Sequence, residues 1–202
     1  MNKTKPLLYT ILVFFFSCSV SKKLTYDKYD RKILFSGYEW VVKKSDGRAG
    51  SGYNYFTDDT SSVWVDNDGY LHLRLRRKHT NWYCTEVIAL KTMGYGNYEF
   101  IIESALNKLD RNVVLGLFTW DDKKTHNHRE IDIEFARWDS QTSKNNTQYV
   151  VQPYNNFNNL HRFSNNTYED VTKHSFFWNK DSIYFRTCTA ENNNPNDETD
   201  LL

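Results

Sequence analysis

Apolar side chains recur along this chain at every second position, in short runs broken by Asp, Asn, Gly and Ser. Side chains of a strand alternate between two faces, so this pattern predicts strands with one face in a core. Such runs fall at 38–42, 63–65, 71–75, 84–90, 96–103, 113–120, 130–135, 148–152, 172–178 and 183–186. Between the second and third, Asp66-Asn67-Asp68-Gly69 has the composition of a hairpin turn. No segment holds a helical period over three turns. Many short strands at close spacing predict an all-β sandwich or barrel. The stretches 139–146 and 154–166, rich in Asn, Ser and Thr, read as exposed loops.

The run at 130–135 differs from the others. Glu130, Asp132 and Glu134 alternate with Ile131, Ile133 and Phe135, so a strand here buries three apolar residues and lines up three acids on its other face. Like charges at neighbouring same-face positions repel, and a strand that needed only solubility has cheaper choices in Thr, Lys or Ser. Paired carboxylates in one cleft, with their pKa values pushed apart, are what cleavage of a glycosidic bond requires. An amphipathic strand whose outer face happens to be acidic is the alternative. At ~3.3 Å per residue the α-carbons of Glu130 and Glu134 stand about 13 Å apart on a straight strand. Retaining chemistry needs carboxyls ~5–5.5 Å apart and inverting chemistry ~6.5–9.5 Å, so spacing alone favours neighbours such as Glu130 and Asp132. A concave sheet would let the two longer Glu side chains converge. Three carboxyls so close cannot all ionise cheaply, so at least one keeps its proton near neutral pH, and Glu134 is the natural holder if it sits deeper or nearer the sugar oxygen.

Other side chains nearby compete for a role. His126, His128 and Glu130 form a rival metal set at strand spacing. Metal cupins place three or four residues between the second His and the Glu, whereas one stands here, so no metal is assigned and His128 is read as orienting Glu130 or a sugar hydroxyl. Trp120 and Trp138 flank the acids and are candidate stacking platforms for sugars, with Tyr95 a further one. Arg137 is a candidate for a polar or anionic sugar, and Phe118 is a weaker stacking candidate, read first as core.

Length and charge narrow the function. The 202 residues fit one domain. A net charge of +1, from 26 basic and 25 acidic residues without a long run of either, argues against nucleic acid or an anionic membrane surface as the main partner. At the N-terminus, Asn2-Lys3-Thr4-Lys5 leads into ten mostly apolar residues, 7–16, too few to span a bilayer. They end at Phe16-Ser17-Cys18, which resembles a lipoprotein-type signal over 1–18 with Cys18 acylated, a plain signal peptide or an uncleaved anchor being the alternatives. Residues 19–35 read as a polar tether and 36–202 as the domain. This predicts an exported, periplasmic or cell-surface protein held to a bacterial membrane by lipid. Cys84 and Cys188 are left, and spacing does not say whether they pair.

Five blocks carry a resemblance. They are Gly94-Tyr95-Gly96-Asn97-Tyr98-Glu99-Phe100, Leu115-Gly116-Leu117-Phe118-Thr119-Trp120, the acidic hexapeptide, Phe135-Ala136-Arg137-Trp138, and 175–183. In this order they resemble glycoside hydrolase family 16, the group of laminarinases, lichenases and xyloglucan-active transferases, across roughly residues 36–187. The resemblance implies a β-jelly-roll sandwich of two curved antiparallel sheets, concanavalin A-like, with a cleft on the concave face. It implies a retaining endo-acting β-glycanase with Glu130 as nucleophile, Glu134 as general acid/base and Asp132 assisting. It needs no cofactor for the chemistry and allows a structural calcium ion whose ligands it does not specify. The implied partner is a β-glucan-type polysaccharide and the implied state a monomer. With no residue inserted between Ile133 and Glu134, the acidic run is closer to the lichenase and xyloglucan-active branch, a lean toward β-1,4-containing glucans. After Arg186 the sequence turns polar where family members add aromatic-rich strands, so the domain is expected to be C-terminally incomplete. A transglycosylase using the same site, and a glycan-binding lipoprotein without turnover, are the alternatives.

Overall fold

The computed structural model describes residues 30–138, 144–165, 171–189 and 195–201, the last as backbone. The signal expected at 1–18, with Cys18, and the start of the tether lie outside the described residues. The chain divides into two compact units, Met1–Met93 and Gly94–Leu202, and the domain expected over 36–202 draws on both.

The first unit holds β1 (Lys32–Phe35), β2 (Tyr38–Val42), β3 (Tyr55–Phe56), β4 (Val63–Val65), β5 (Leu71–Leu73), β6 (Arg76–Lys78), β7 (Asn81–Cys84) and β8 (Val87–Ala89). They form sheets in the orders β1-β2-β8, β3-β7-β6 and β4-β5. Val41, Val42, Phe56 and Val63 are the buried apolar residues among its described ones. The hairpin expected at Asp66–Gly69 forms: the Asp66 carboxylate accepts the N–H groups of Asp68 and Tyr70 at 3.0 and 2.9 Å, and Gly69 supplies a φ of +89°. Strand β1 lies inside the segment read as tether. Its four residues are too few to show a period, and pairing with β2, Ile33 opposite Trp40, creates it. The runs at 71–75 and 84–90 are also shorter than expected, because the chain changes partner after Leu73 and after Cys84.

The second unit holds β9 (Gly96–Ile102), β10 (Leu115–Phe118), β11 (Ile131–Phe135), β12 (Thr147–Val151), β13 (Leu160–Phe163), β14 (Thr172–Trp178), β15 (Ile183–Thr189) and β16 (Pro195–Leu201). Two four-stranded antiparallel sheets result, β10-β11-β12-β13 and β16-β15-β14-β9. They face each other across one core: Ile131, Ile133, Phe135 and Tyr149 from the first meet Phe176, Ile183 and Phe185 from the second. Tyr149 stacks on Phe185 with ring centroids 4.6 Å apart. This is the expected sandwich, with one short 3₁₀ turn, Leu106–Lys108, and a left-handed turn within Thr125–Arg129 among the described residues. Two strands of this unit went unexpected. β13 lies in the segment read as loop, since its His161 and Arg162 hide the apolar alternation. β16 follows where no strand was expected, its polar sequence held by backbone pairing with β15.

The core also contains a buried polar chain. The Tyr149 hydroxyl donates to Thr187 Oγ1 at 2.6 Å, His174 Nδ1 lies 2.9 Å from the same oxygen, and His174 Nε2 lies 2.8 Å from Thr172 Oγ1. A neutral imidazole, one nitrogen donating and one accepting, satisfies both threonines. Burial pushes the His174 pKa down to about 3 from the usual 6.5. Its contribution to stability is therefore complete above pH 6.5 and is lost as pH falls toward 3, by at most about 1.4 kcal/mol per pH unit. Urea unfolding of His174→Gln at pH 7 and pH 4.5 is expected to show a smaller acid loss than the parent; equal losses would overturn the assignment.

Candidate active site

Pairing fixes what stands beside each acid. In β11, Ile131, Ile133 and Phe135 are at most 2% exposed and face the core, so Asp132 and Glu134 face the other way, with Glu130 just ahead of the strand in extended backbone. Across the sheet, Glu134 pairs with Gly116 on β10 and Gln148 on β12, and Gln148 with Arg162 on β13. Asp132 pairs with Phe118 and Val150. Directly paired residues share a face, so Phe118 stands on the acidic side, 38% exposed, and not in the core as its apolar character had implied. At Gly116 a Cβ would meet only a Phe118 ring carbon at 3.6 Å, so one flank of Glu134 is without a side chain.

The Gln148 amide donates to Glu134 Oε2, and the Gln148 oxygen accepts Arg162 Nε and Nη2 at 2.9 and 2.5 Å. The Arg162 guanidinium lies 3.9 Å from the centroid of the Trp138 ring. Trp138, expected to stack on sugar, therefore has one ring face covered by a cation. Neither Gln148 nor Arg162 was singled out from the sequence. Both lie two strands or fewer from Glu134 only because of the sheet register, which a chain read in one dimension does not show.

Glu130 is positioned by an unusual turn. His126, Asn127, His128 and Arg129 all have φ between 50° and 60°, a left-handed run of four residues with side chains. Such backbone costs roughly 1–2 kcal/mol per residue. It is held by Asp121, whose N–H donates to the His128 carbonyl at 2.6 Å, whose carbonyl lies 2.8 Å from His128 Nδ1, and whose carboxylate pairs with Arg129. Thr119 adds a bond from its hydroxyl to the Arg129 carbonyl at 2.7 Å. The His128 ring stacks on Trp120, centroids 4.1 Å apart and planes within 11°. Trp120 is 53% exposed and its other polar contact is a long one, Nε1 to Asp122 at 3.3 Å. Among the described residues no group of three or more His, Cys, Asp or Glu side chains could hold a metal ion.

Two of the expected sugar contacts sit elsewhere. Tyr95 immediately precedes β9, in the sheet that does not carry the acids, with its ring edge on Trp178 at 5.1 Å. Arg137 donates to the Asn107 carbonyl at 2.8 Å, in the 3₁₀ turn. Cys84 and Cys188 are both free thiols.

Burial decides where the proton rests. Asp132 is the deepest of the three acids, 6% exposed. Its desolvation, then the charges of Glu130 and Glu134, push its pKa up to about 8. Glu130 is raised too, by burial first and the Glu134 charge second, with His128 acting in the opposite sense. Asp132 therefore holds a proton at neutral pH, because the middle acid is the one its neighbours cover.

This constellation can be compared with known proteins. The family model for glycosyl hydrolases family 16 matches residues 51–187. The chain belongs to that family. A β-glucanase of Bacillus licheniformis has a similar fold, with a TM-score of 0.61 and 19% identity, over 83% of this chain and 73% of that one. An immunostimulatory antigen and pseudo-β-1,3-glucanase of Mycobacterium tuberculosis superposes with a TM-score of 0.57 and 18% identity, over 79% of this chain and 68% of that one. Comparison with curated protein sequences gave no match. The fold of this family 16 chain is accordingly the β-jelly-roll sandwich of β-glucanases.

The Asp132 proton makes a pH prediction. A carboxyl with a raised pKa contributes stability that is complete below its unfolded value of 3.8 and is lost as pH rises through about 8. Thermal unfolding of Asp132→Asn at pH 5 and pH 9 is expected to show a smaller loss of melting temperature than the parent over the same interval. Identical losses would contradict a buried, protonated Asp132.

Proposed function

We propose that this protein is an exported endo-β-glycanase that cleaves internal bonds of a β-glucan with retention of configuration, acting as a monomer anchored through Cys18. The observation that carries the reading is three alternating carboxyls, Glu130 just ahead of β11 and Asp132 and Glu134 on its outer face, the middle one buried, in a family 16 chain. With its proton on Asp132, the set leaves charge for Glu130, the proposed nucleophile. Glu130 attacks the anomeric carbon as the glycosidic oxygen leaves with a proton from Glu134, which enters the step as the neutral acid and is left as a carboxylate, giving a glycosyl ester. Glu134 then takes a proton from water, whose oxygen displaces Glu130 and restores the starting site. Exposed Trp120, beside the Glu130 turn, is the best-placed ring for a sugar face.

The β-glucanase description of one structural neighbour, with the uninterrupted Ile133-Glu134 junction, supports a β-glucan containing β-1,4 bonds. The pseudo-β-1,3-glucanase description of the other supports a second reading, glycan binding without turnover.

Purified protein assayed on mixed-linkage, β-1,3- and xyloglucan polysaccharides should release shorter chains from at least one, and binding without release on all of them would favour the second reading. Glu130→Gln is expected to lower turnover by at least ~10⁴-fold while glycan binding persists. Glu134→Gln should cost ~10²–10⁴-fold on the polysaccharide yet far less on an aryl glycoside whose leaving group needs no proton. Equal damage on both substrates would remove Glu134 from the acid/base role.

A further inference from the structure

We propose that Gln148 and Arg162 are positioning residues for the general acid/base, fixing which oxygen of Glu134 carries the transferred proton. The proposal rests on the reading of Glu134 as that group. A glutamine amide can present either its oxygen or its NH₂ to a neighbour, and two carboxylate-facing orientations exist until something selects one. Arg162 selects it. A guanidinium has donors only, and two of its nitrogens, Nε and Nη2, converge on the Gln148 oxygen at 2.9 and 2.5 Å. The amide oxygen is thereby committed to β13, and the NH₂ must point across the sheet to Glu134 Oε2.

Each member of this chain is constrained in turn. Gln148 is only 7% exposed, so its side chain has little room to leave the row. Arg162 is exposed, but its cation is seated on the Trp138 ring at 3.9 Å. Backbone pairing of Glu134 with Gln148, and of Gln148 with Arg162, places the three in one cross-strand row. On the far flank Gly116 offers Glu134 no side chain at all. Glu134 is thus gripped from one side and by one oxygen. Oε2 is engaged as an acceptor, which leaves Oε1 to carry the proton to the glycosidic oxygen. Without the guanidinium the Gln148 amide is free to turn its oxygen toward the carboxylate, where it accepts rather than donates and pushes Glu134 out of place.

Arg162→Met keeps the stem that lies along Trp138 and removes the cation, and Gln148→Leu keeps approximate size and removes the donor. On the polysaccharide, kcat is expected to fall about 10- to 100-fold in each, the scale of a misplaced catalytic group, with KM nearly unchanged. On an activated aryl glycoside the fall should be less than about threefold, since leaving-group protonation is then dispensable. Arg162→Lys, which keeps a donor for the amide oxygen, should recover part of the loss. Adding either change to Glu134→Gln should cost nothing further. Melting curves verify that each variant is folded, and Arg162→Met, at an exposed position, serves where Gln148→Leu does not fold. Equal loss on both substrates, an added loss in the Glu134→Gln background, or an unchanged kcat would overturn the proposal while leaving Glu134 in its role. Indifference of Glu134→Gln itself to the leaving group would remove that role and this proposal with it.

Discussion

Strand β11 has to satisfy two environments at once. Ile131, Ile133 and Phe135 fill the centre of the sandwich, in one core with Phe176, Ile183 and Phe185 of the opposite sheet. Because the side-chain period is two, burying that set forces the acids onto the other face, and a slip of one residue would drive Asp132 and Glu134 into the apolar core. Desolvating two carboxylates there costs far more than any alternative contact returns. The register of β11 against β10 and β12 is thus fixed by the core, and the position of every acid follows from it.

Bringing the acids together has an electrostatic consequence that packing alone resolves. Three neighbouring carboxyls repel, and the group most covered by its neighbours is the one that gives up its charge. Asp132, flanked across the sheet by Phe118 and Val150, is that group. Glu134 lies next to Gly116 on one side and a donor on the other, and Glu130 follows a turn that polar contacts hold in left-handed backbone. A period-two strand therefore carries three acids in three different settings. Strained backbone in one short segment beside such a set is a pattern found where geometry serves a site.

The reverse face treats polarity differently. His174, Thr187, Thr172 and Tyr149 are buried in the same core, and each hydroxyl or ring nitrogen in the chain meets a partner. Neutral groups at short range suit that interior, whereas the acids sit where their charge can be divided unequally.

Much of this was legible in the sequence because it depends on local alternation. Strands β2, β4 and β14 fall where their period predicts, the Asp66–Gly69 turn forms from its own residue types, and the acidic face of β11 is written in six consecutive letters. Four-residue strands such as β1 and β13, and a polar edge strand such as β16, were hidden because their order comes from a partner strand and not from their own pattern. The same limit applied to the site. Alternation gave Glu130, Asp132 and Glu134, but neither the depth that protonates Asp132, the Gln148 and Arg162 beside Glu134, nor the exposure of Phe118. Those depend on which strands lie adjacent and in what register, and register is set by the burial of residues far apart in the chain. Sequence determined the faces of each strand, and the tertiary structure decided what each face meets.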